Sequence, residues 1–457
     1  MKKIIFSWLL CFFFLHAERR GIFPISSLER REQGTTIINN PTIPLIISSP
    51  GDYRLISNIA LDAVTSTTLI KITSNNVKLN LYGRALSQNM PSTKNMTGIY
   101  IADDVSNVTI ENGNINGLTG TGVIVGQNCF NITIQNMTIT QTSKGGITLQ
   151  SGTDTLFMHN CFVGKSLSSN QNNIGVSLTE NTNVVISQCS VLGVQASSGY
   201  HAYGVYASSC NNCTLENSTF NNSNGNTAHG IYLSSCSDFI CKNNETKGNY
   251  GTSGQGYGIH LVGSSGNTIT HSIISQNKSS THAYGIKMEN SSNYNKIIDS
   301  NISHQQVTGT GNTYGIHMDS SNSNHCITLS VFGNTAGTDS SSESAGIKIQ
   351  SATGNVVSFC SVNFNNGNVG KGYGIFLSSV AKCVIENNKT YYNHGQNGGY
   401  GIKESGSSTS LFSANTSFGN ENNYNLTILD LNAIQTVNIS APRSIQTTNL
   451  GNISITY

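Results

Sequence analysis

The chain has 457 residues, with 24 Lys and Arg against 22 Asp and Glu, and only 10% of its residues are charged. Setting Lys2 and Lys3 aside with an N-terminal leader leaves 22 basic residues facing 22 acidic ones, without the clustered basic face that phosphate backbones require, so nucleic acid is excluded as a partner. Abundant glycine, 46 residues, joined by Asn, Ser and Thr, belongs to disorder or to a repeat, and the regular recurrence of Ile, Val and Leu selects the repeat.

Lys2 and Lys3, the apolar run Ile4 to Leu15 and the small residue Ala17 have the three parts of a secretory signal peptide, placed at 1–17. The apolar run is shorter than the roughly 20 residues a membrane-spanning helix needs, and no later stretch is continuously apolar. The expectation is a secreted or extracytoplasmic protein, at the cell surface or in the periplasm, with no transmembrane segment. Residues 18–50 are expected to cap the open end of a rod built from the rest of the chain. Pro50-Gly51-Asp52-Tyr53-Arg54-Leu55, Ile70-Lys71-Ile72 and Asn76 to Gly83 then read as an opening coil.

From Gly98 the sequence repeats. A strand of the form Gly-Ile-x-Leu begins at Gly98, Gly122, Gly146, Gly175, Gly204, Gly230, Gly258, Gly285, Gly315, Gly346, Gly374 and Gly401, at spacings of 24 to 31 residues. Apolar residues stand one and three places after each glycine, and a period of two means a strand with one buried face. A second short strand comes about nine residues on, often introduced by asparagine, as at Asn107, Asn131, Asn183 and Asn267. Asparagine tolerates left-handed turn geometry, and copies stacked in register can hydrogen-bond side chain to side chain.

One such coil cannot bury its own apolar face, whereas stacked coils share a core and satisfy backbone groups on neighbours above and below. No proline occurs between Pro91 and Pro442, as expected where nearly every segment donates to a ladder, and no helix-length amphipathic segment appears. The fold class is therefore all-β, a right-handed parallel β-helix of about 12 to 14 coils over residues 51–425, with 426–457 supplying closing strands. Twelve coils at about 4.8 Å each give a rod of roughly 60 Å. Ten cysteines come after the leader without the paired spacing of a zinc site, and read as small buried residues stacked inside the helix.

The opening coil together with the Gly-Ile-x-Leu and Asn-x-x-Ile repeats resembles the right-handed parallel β-helix superfamily, which contains pectate lyases, polygalacturonases, alginate-modifying enzymes and the NosD-like proteins. The resemblance covers roughly residues 50 to 425 and rests on core and turn positions, so it implies fold; it implies action on acidic polysaccharides, in the groove outside the first parallel sheet, only by similarity. Polygalacturonase signatures are reduced to Asp103-Asp104, and no arginine lies between Arg84 and Arg443 to serve as the base of a pectate lyase, which disfavours both activities.

If the residues one and three after each glycine point inward, the residue two after it faces solvent. These form a ladder: Tyr100, Ile124, Thr148, Ser177, Tyr206, Tyr232, His260, Lys287, His317, Lys348, Phe376 and Lys403. The next outward position supplies Glu289 and Asp319 in adjacent coils, and neighbouring carboxylates push one pKa up, as glycosidases require. Lys287 or His317 beside a sugar carboxylate would instead serve an eliminating or epimerising enzyme. The candidate catalytic residues are thus Glu289, Asp319, His317 and Lys287, and the candidate substrate-binding residues Tyr206, Tyr232, His260 and Lys348.

A ladder of tyrosines just before the glycines, Tyr203, Tyr257, Tyr284, Tyr314, Tyr373 and Tyr400, falls by alternation on the inward side or at a corner. His201, His229, His282 and His394 fall in return loops without fixed ligand spacing, so no metal and no cofactor are expected. Polysaccharide or cell-surface glycan is the expected partner, bound and, in an enzyme of the lyase, epimerase or glycoside hydrolase type, cleaved or modified. The alternative is a non-enzymatic surface adhesin or structural spike, since any solvated face with alternating Lys, Glu, His and Asp carries the same residues.

Overall fold

A computed structural model describes residues 34–425 apart from 62–66, 89–94, 165, 169 and 407–408, together with strands at Ile434–Ile439 and Ile455–Thr456. The chain divides into two compact units, Met1–Thr35 and Thr36–Tyr457, and the described residues belong almost wholly to the second. The signal peptide expected at 1–17 lies outside them.

Among the described residues every regular element is a strand, and neighbouring strands pair in parallel. The strands form a first sheet of 15 members, a second of 28 and a third of 6. The 15-stranded first sheet contains one strand from each of the twelve glycine repeats, from Thr97–Ile101 to Gly399–Ser405. It is extended before them by Leu45–Ile47 and Thr68–Ile72 and after them by Asn422–Asn425. Leu45–Ile47, within the segment expected to cap the rod, pairs in register with Ile70–Ile72. At the other end Ile434–Ile439 pairs with Leu411–Phe418.

Adjacent repeats align position for position. Ile231, Ile259, Ile286 and Ile316 stack on one another, as do Leu233, Leu261, Met288 and Met318. All eight are fully buried, and each such side chain contributes about 1.5–3 kcal/mol relative to exposure. The last glycine repeat departs from the pattern, since its third place is Glu404, 3% exposed. The ten cysteines after the leader are all buried with free thiols.

The asparagines form two kinds of ladder. Asn107, Asn131 and Asn183 have positive φ, and Asn131 Nδ2 donates to Asn107 Oδ1 at 2.8 Å on the exposed side of the turn. Inside, Asn267 donates both its backbone N–H and its Nδ2 to Asn295 Oδ1, and Asn295 does the same to Asn324. A side chain that accepts from the coil before it and donates to the coil after it lets a polar turn sit in the core without an unpaired group.

Alternation breaks once in each repeat, at the glycine. A Cβ on Gly258 would sit 2.6 Å from the carbonyl oxygen of Gly285 in the next coil, and one on Gly230 would sit 2.7 Å from that of Gly258. The glycine faces inward, and so does the isoleucine after it. Two consecutive inward residues reverse the parity upstream, so the residue before the glycine emerges on the outside. The tyrosine ladder is therefore not in the core or at a corner. It stands on the outer face, beside the ladder two places after the glycine.

Candidate functional site

The outer face of the first sheet carries two columns, one residue before and two residues after each glycine. Their side chains pack against each other. Tyr257 stacks on His260 with ring centroids 4.2 Å apart and Tyr373 on Phe376 at 4.5 Å, while Tyr314 lies 4.8 Å from His317. His229 is not in a loop as expected but occupies the first column, stacked between Tyr203 at 4.8 Å and Tyr257 at 4.6 Å.

The ladder two places after the glycine points outward, as the period of two demands, but much of it is covered. Ile259 and Leu261 are fully buried on the inside, while outside His260 is only 5%, Lys287 9%, His317 6% and Lys348 8% exposed. Solvent exposure of these four is thus corrected. Strands in register lie about 4.8 Å apart, so each bulky side chain is roofed by its neighbours above and below and flanked by the second column. Tyr206 and Tyr232 remain half-buried, stacked at 5.4 Å.

Glu289 is the hub of one polar group. It accepts from His260 Nε2 at 2.9 Å and pairs with Lys287 Nζ at 2.6 Å. The His260 hydrogen bond, aided by Lys287, holds its carboxyl down to about 2 against the opposing effect of burial. That is the reverse of the rise expected from a repelling carboxylate neighbour. The backbones of the two acidic residues do fall in adjacent strands, since Met288 pairs with Met318, but the Glu289 carboxylate is engaged by His260 and Lys287. Asp319 is half-buried and accepts from Ser320 Oγ at 3.3 Å. Burial lowers the His260 pKa, so the pair is a neutral imidazole donating to an ionised carboxylate.

A second group was missed in the sequence. Glu343 Oε2 lies 2.9 Å from Lys348 Nζ and accepts from the Tyr314 hydroxyl at 3.2 Å, while Lys348 Nζ donates to that hydroxyl at 3.2 Å. Between the two groups stands His317, in register with Lys287 on one side and Lys348 on the other. Burial first, and then the two lysines, push its pKa down to about 3. Neither ring nitrogen makes a well-formed hydrogen bond, although Gln350 approaches. Chemically it is a neutral, weakly basic imidazole between two ammonium groups, each of them paired with a glutamate.

Glu343 and the outward tyrosines were legible only through the glycine. A residue without Cβ directly before an inward isoleucine is the signature of a bulge, and the bulge decides which face the preceding residue takes. Asp103 and Asp104 prove to be turn residues: Asp103 accepts from the Gln127 backbone N–H at 3.0 Å and Asp104 from Asn128 Nδ2 at 3.1 Å. Among the described residues, no group of three or more His, Cys, Asp or Glu is placed to hold a metal, and no helix is long and apolar enough to cross a membrane. A shallow cavity of about 300 Å³, lined by residues including Asn136, Asn160, Phe162 and Gln188, belongs to the second sheet and not to these columns.

Residues 174–338 match the family described as the right handed beta helix region. No curated protein sequence matches the chain. Among solved structures, the A-module of a mannuronan C-5 epimerase from Azotobacter vinelandii is similar at 15% identity, over 90% of this chain and 91% of that one, with a TM-score of 0.42. The Dettilon tailspike protein is 15% identical over 71% of this chain and 59% of its own, with a TM-score of 0.41. An alpha-1,3-glucanase catalytic unit from Streptomyces thermodiastaticus is 14% identical over 83% of this chain and 62% of its own, with a TM-score of 0.38. Likeness at this level carries no statement about what this chain binds.

Proposed function

We propose that this chain, by fold a member of the right-handed parallel β-helix superfamily, is exported and binds an acidic polysaccharide or cell-surface glycan along the outer face of its first sheet. The observation that carries the reading is a change along the rod. The core positions stay apolar in every repeat before the last, but the outer columns pass from Thr121 with Ile124 and Gly145 with Thr148 to Tyr203 with Tyr206, His229 with Tyr232 and Tyr257 with His260. The core does not demand that change, since the earlier coils fold on the same pattern without it. Aromatic edges and ammonium groups at a repeat of about 4.8 Å suit an extended chain of sugars bearing carboxylates. Export is supported by the leader Lys2 to Ala17.

A second reading, the non-enzymatic adhesin or structural spike, is favoured by the burial of His260, Lys287, His317 and Lys348 and by the neutralisation of both lysines within the array. The test is retention of the full mature chain on an array of neutral, uronate and sulfated polymers, monitored for new unsaturated or reducing ends. Retention that is lost in the Tyr206→Ala/Tyr232→Ala double variant supports the binding surface. New ends that disappear in His317→Gln add catalysis. Absence of both retention and products in the unaltered chain sinks the glycan reading and leaves the spike.

A further inference from the structure

Three lysines of the outer ladder, Lys287, Lys348 and Lys403, succeed one another along the later coils, and they are not equivalent. Lys287 is matched by Glu289 and Lys348 by Glu343, each within 2.9 Å. Lys403 has no such partner: among the described residues no carboxylate lies within ion-pair distance of its ammonium group. It is held instead by rings, with Nζ 4.5 Å from the centroid of Tyr400, 5.5 Å from Tyr373 and 5.9 Å from Phe376.

An ammonium group among aromatic faces is partly stripped of water and gains only a modest attraction in return. The same chain uses a glutamate for this purpose in two other coils, so leaving the charge uncompensated here is a departure from its own pattern. Lys403 is half-buried and keeps access to solvent, unlike Lys287 and Lys348. Lys371, whose strand position pairs with Glu343, adds a second positive charge to its field. Burial and then Lys371 lower the Lys403 pKa, and the more distant attraction of Glu343, which is engaged by Lys348, does not offset them.

We propose that Lys403, framed by Tyr373, Phe376 and Tyr400, is a subsite for the anionic group of an acidic sugar, the ligand supplying the counter-ion that the chain omits. The sugar's carboxylate or sulfate meets the ammonium, and its C–H surface meets the partly exposed Tyr400 ring, with the buried Tyr373 and Phe376 rings holding the ammonium in place. This rests on the glycan reading and places a specificity-determining contact at the C-terminal end of the array, beyond the coils between Gly230 and Gly346.

The experiment measures retention of the full mature chain on uronate, sulfated and neutral oligosaccharides of matched length. The variants are Lys403→Met, Lys403→Arg and, on the other sheet, the exposed Lys389→Met, with the thermal midpoint of each as a folding control. Lys403→Met is expected to weaken binding of acidic oligomers about tenfold while sparing any binding of neutral ones, and Lys403→Arg to restore most of it. Lys389→Met removes a solvated charge away from the columns and is expected to change binding less than twofold. Which acidic oligomer responds identifies carboxylate or sulfate as the anion. Equal affinity for neutral and acidic oligomers, or an undiminished Lys403→Met with an unaltered midpoint, overturns the subsite and leaves the glycan reading standing. No retention of any oligomer by the unaltered chain overturns the glycan reading itself.

Discussion

The coils that open at Gly98, Gly122, Gly146 and Gly175 and those that open between Gly204 and Gly401 share one interior and differ on one face. Ile147 and Leu149 in the earlier set are as buried as Ile259 and Leu261 in the later set, yet between them stand Thr148 in one and His260 in the other. The earlier coils act as an internal control. They keep the parallel stacking, inward glycines and aliphatic columns without the stacked Tyr, His and Lys, so the buried aromatic face of the later coils is an addition to the pattern all coils share.

The sharpest way to break the comparison is to attack the shared interior in each region. A Cβ on Gly146 would sit 2.6 Å from the carbonyl oxygen of Gly175, and one on Gly258 equally close to that of Gly285. Gly146→Val and Gly258→Val are each expected to cost about 3 kcal/mol or to prevent folding, as measured by denaturant unfolding. If one region tolerates the change and the other does not, the interiors are not equivalent and the earlier coils are no control.

A smaller effect separates the outer faces. The His317 imidazole stays neutral in the folded chain down to about pH 3, whereas in the unfolded chain it takes a proton near its ordinary 6.5. Stability is therefore level above that pH and falls as the pH drops from 6.5 towards 3, on the order of 3 kcal/mol by pH 4.5. Glu289, held down to about 2, adds a loss from its ordinary 4.5 downwards. In His317→Phe, which places there the ring that Phe376 already supplies two coils on, the unfolding midpoint is expected to vary less between pH 7 and 5. An unchanged pH profile contradicts a buried neutral imidazole at this position.

The fold was legible because its rules are local and repeated: Gly-Ile-x-Leu, asparagine at the turn, proline absent. The inward columns, the cysteine positions and the asparagine ladders come from them directly. The outer face was legible in part. Tyr206, Tyr232, His260, Lys287, His317 and Lys348 do lie in one column, but simple alternation put Tyr257 and Tyr284 on the wrong side because it passed over the parity change at each glycine. Nor does spacing say that Glu289 turns to His260 and Lys287, or that Glu343, three places before its glycine, meets Lys348. Those contacts depend on side-chain direction across coils, which a one-dimensional pattern does not contain.

The central claim is a location, and hydroxyl-radical footprinting of the full mature chain with and without a uronate polymer tests it most directly. Protection is expected at Tyr206, Tyr232 and Tyr400, with no change at the exposed second-sheet residues Phe130 and Phe157. Protection confined to the second sheet, or no protection under conditions where the polymer is retained, would contradict the assignment of the first sheet's outer face as the binding surface.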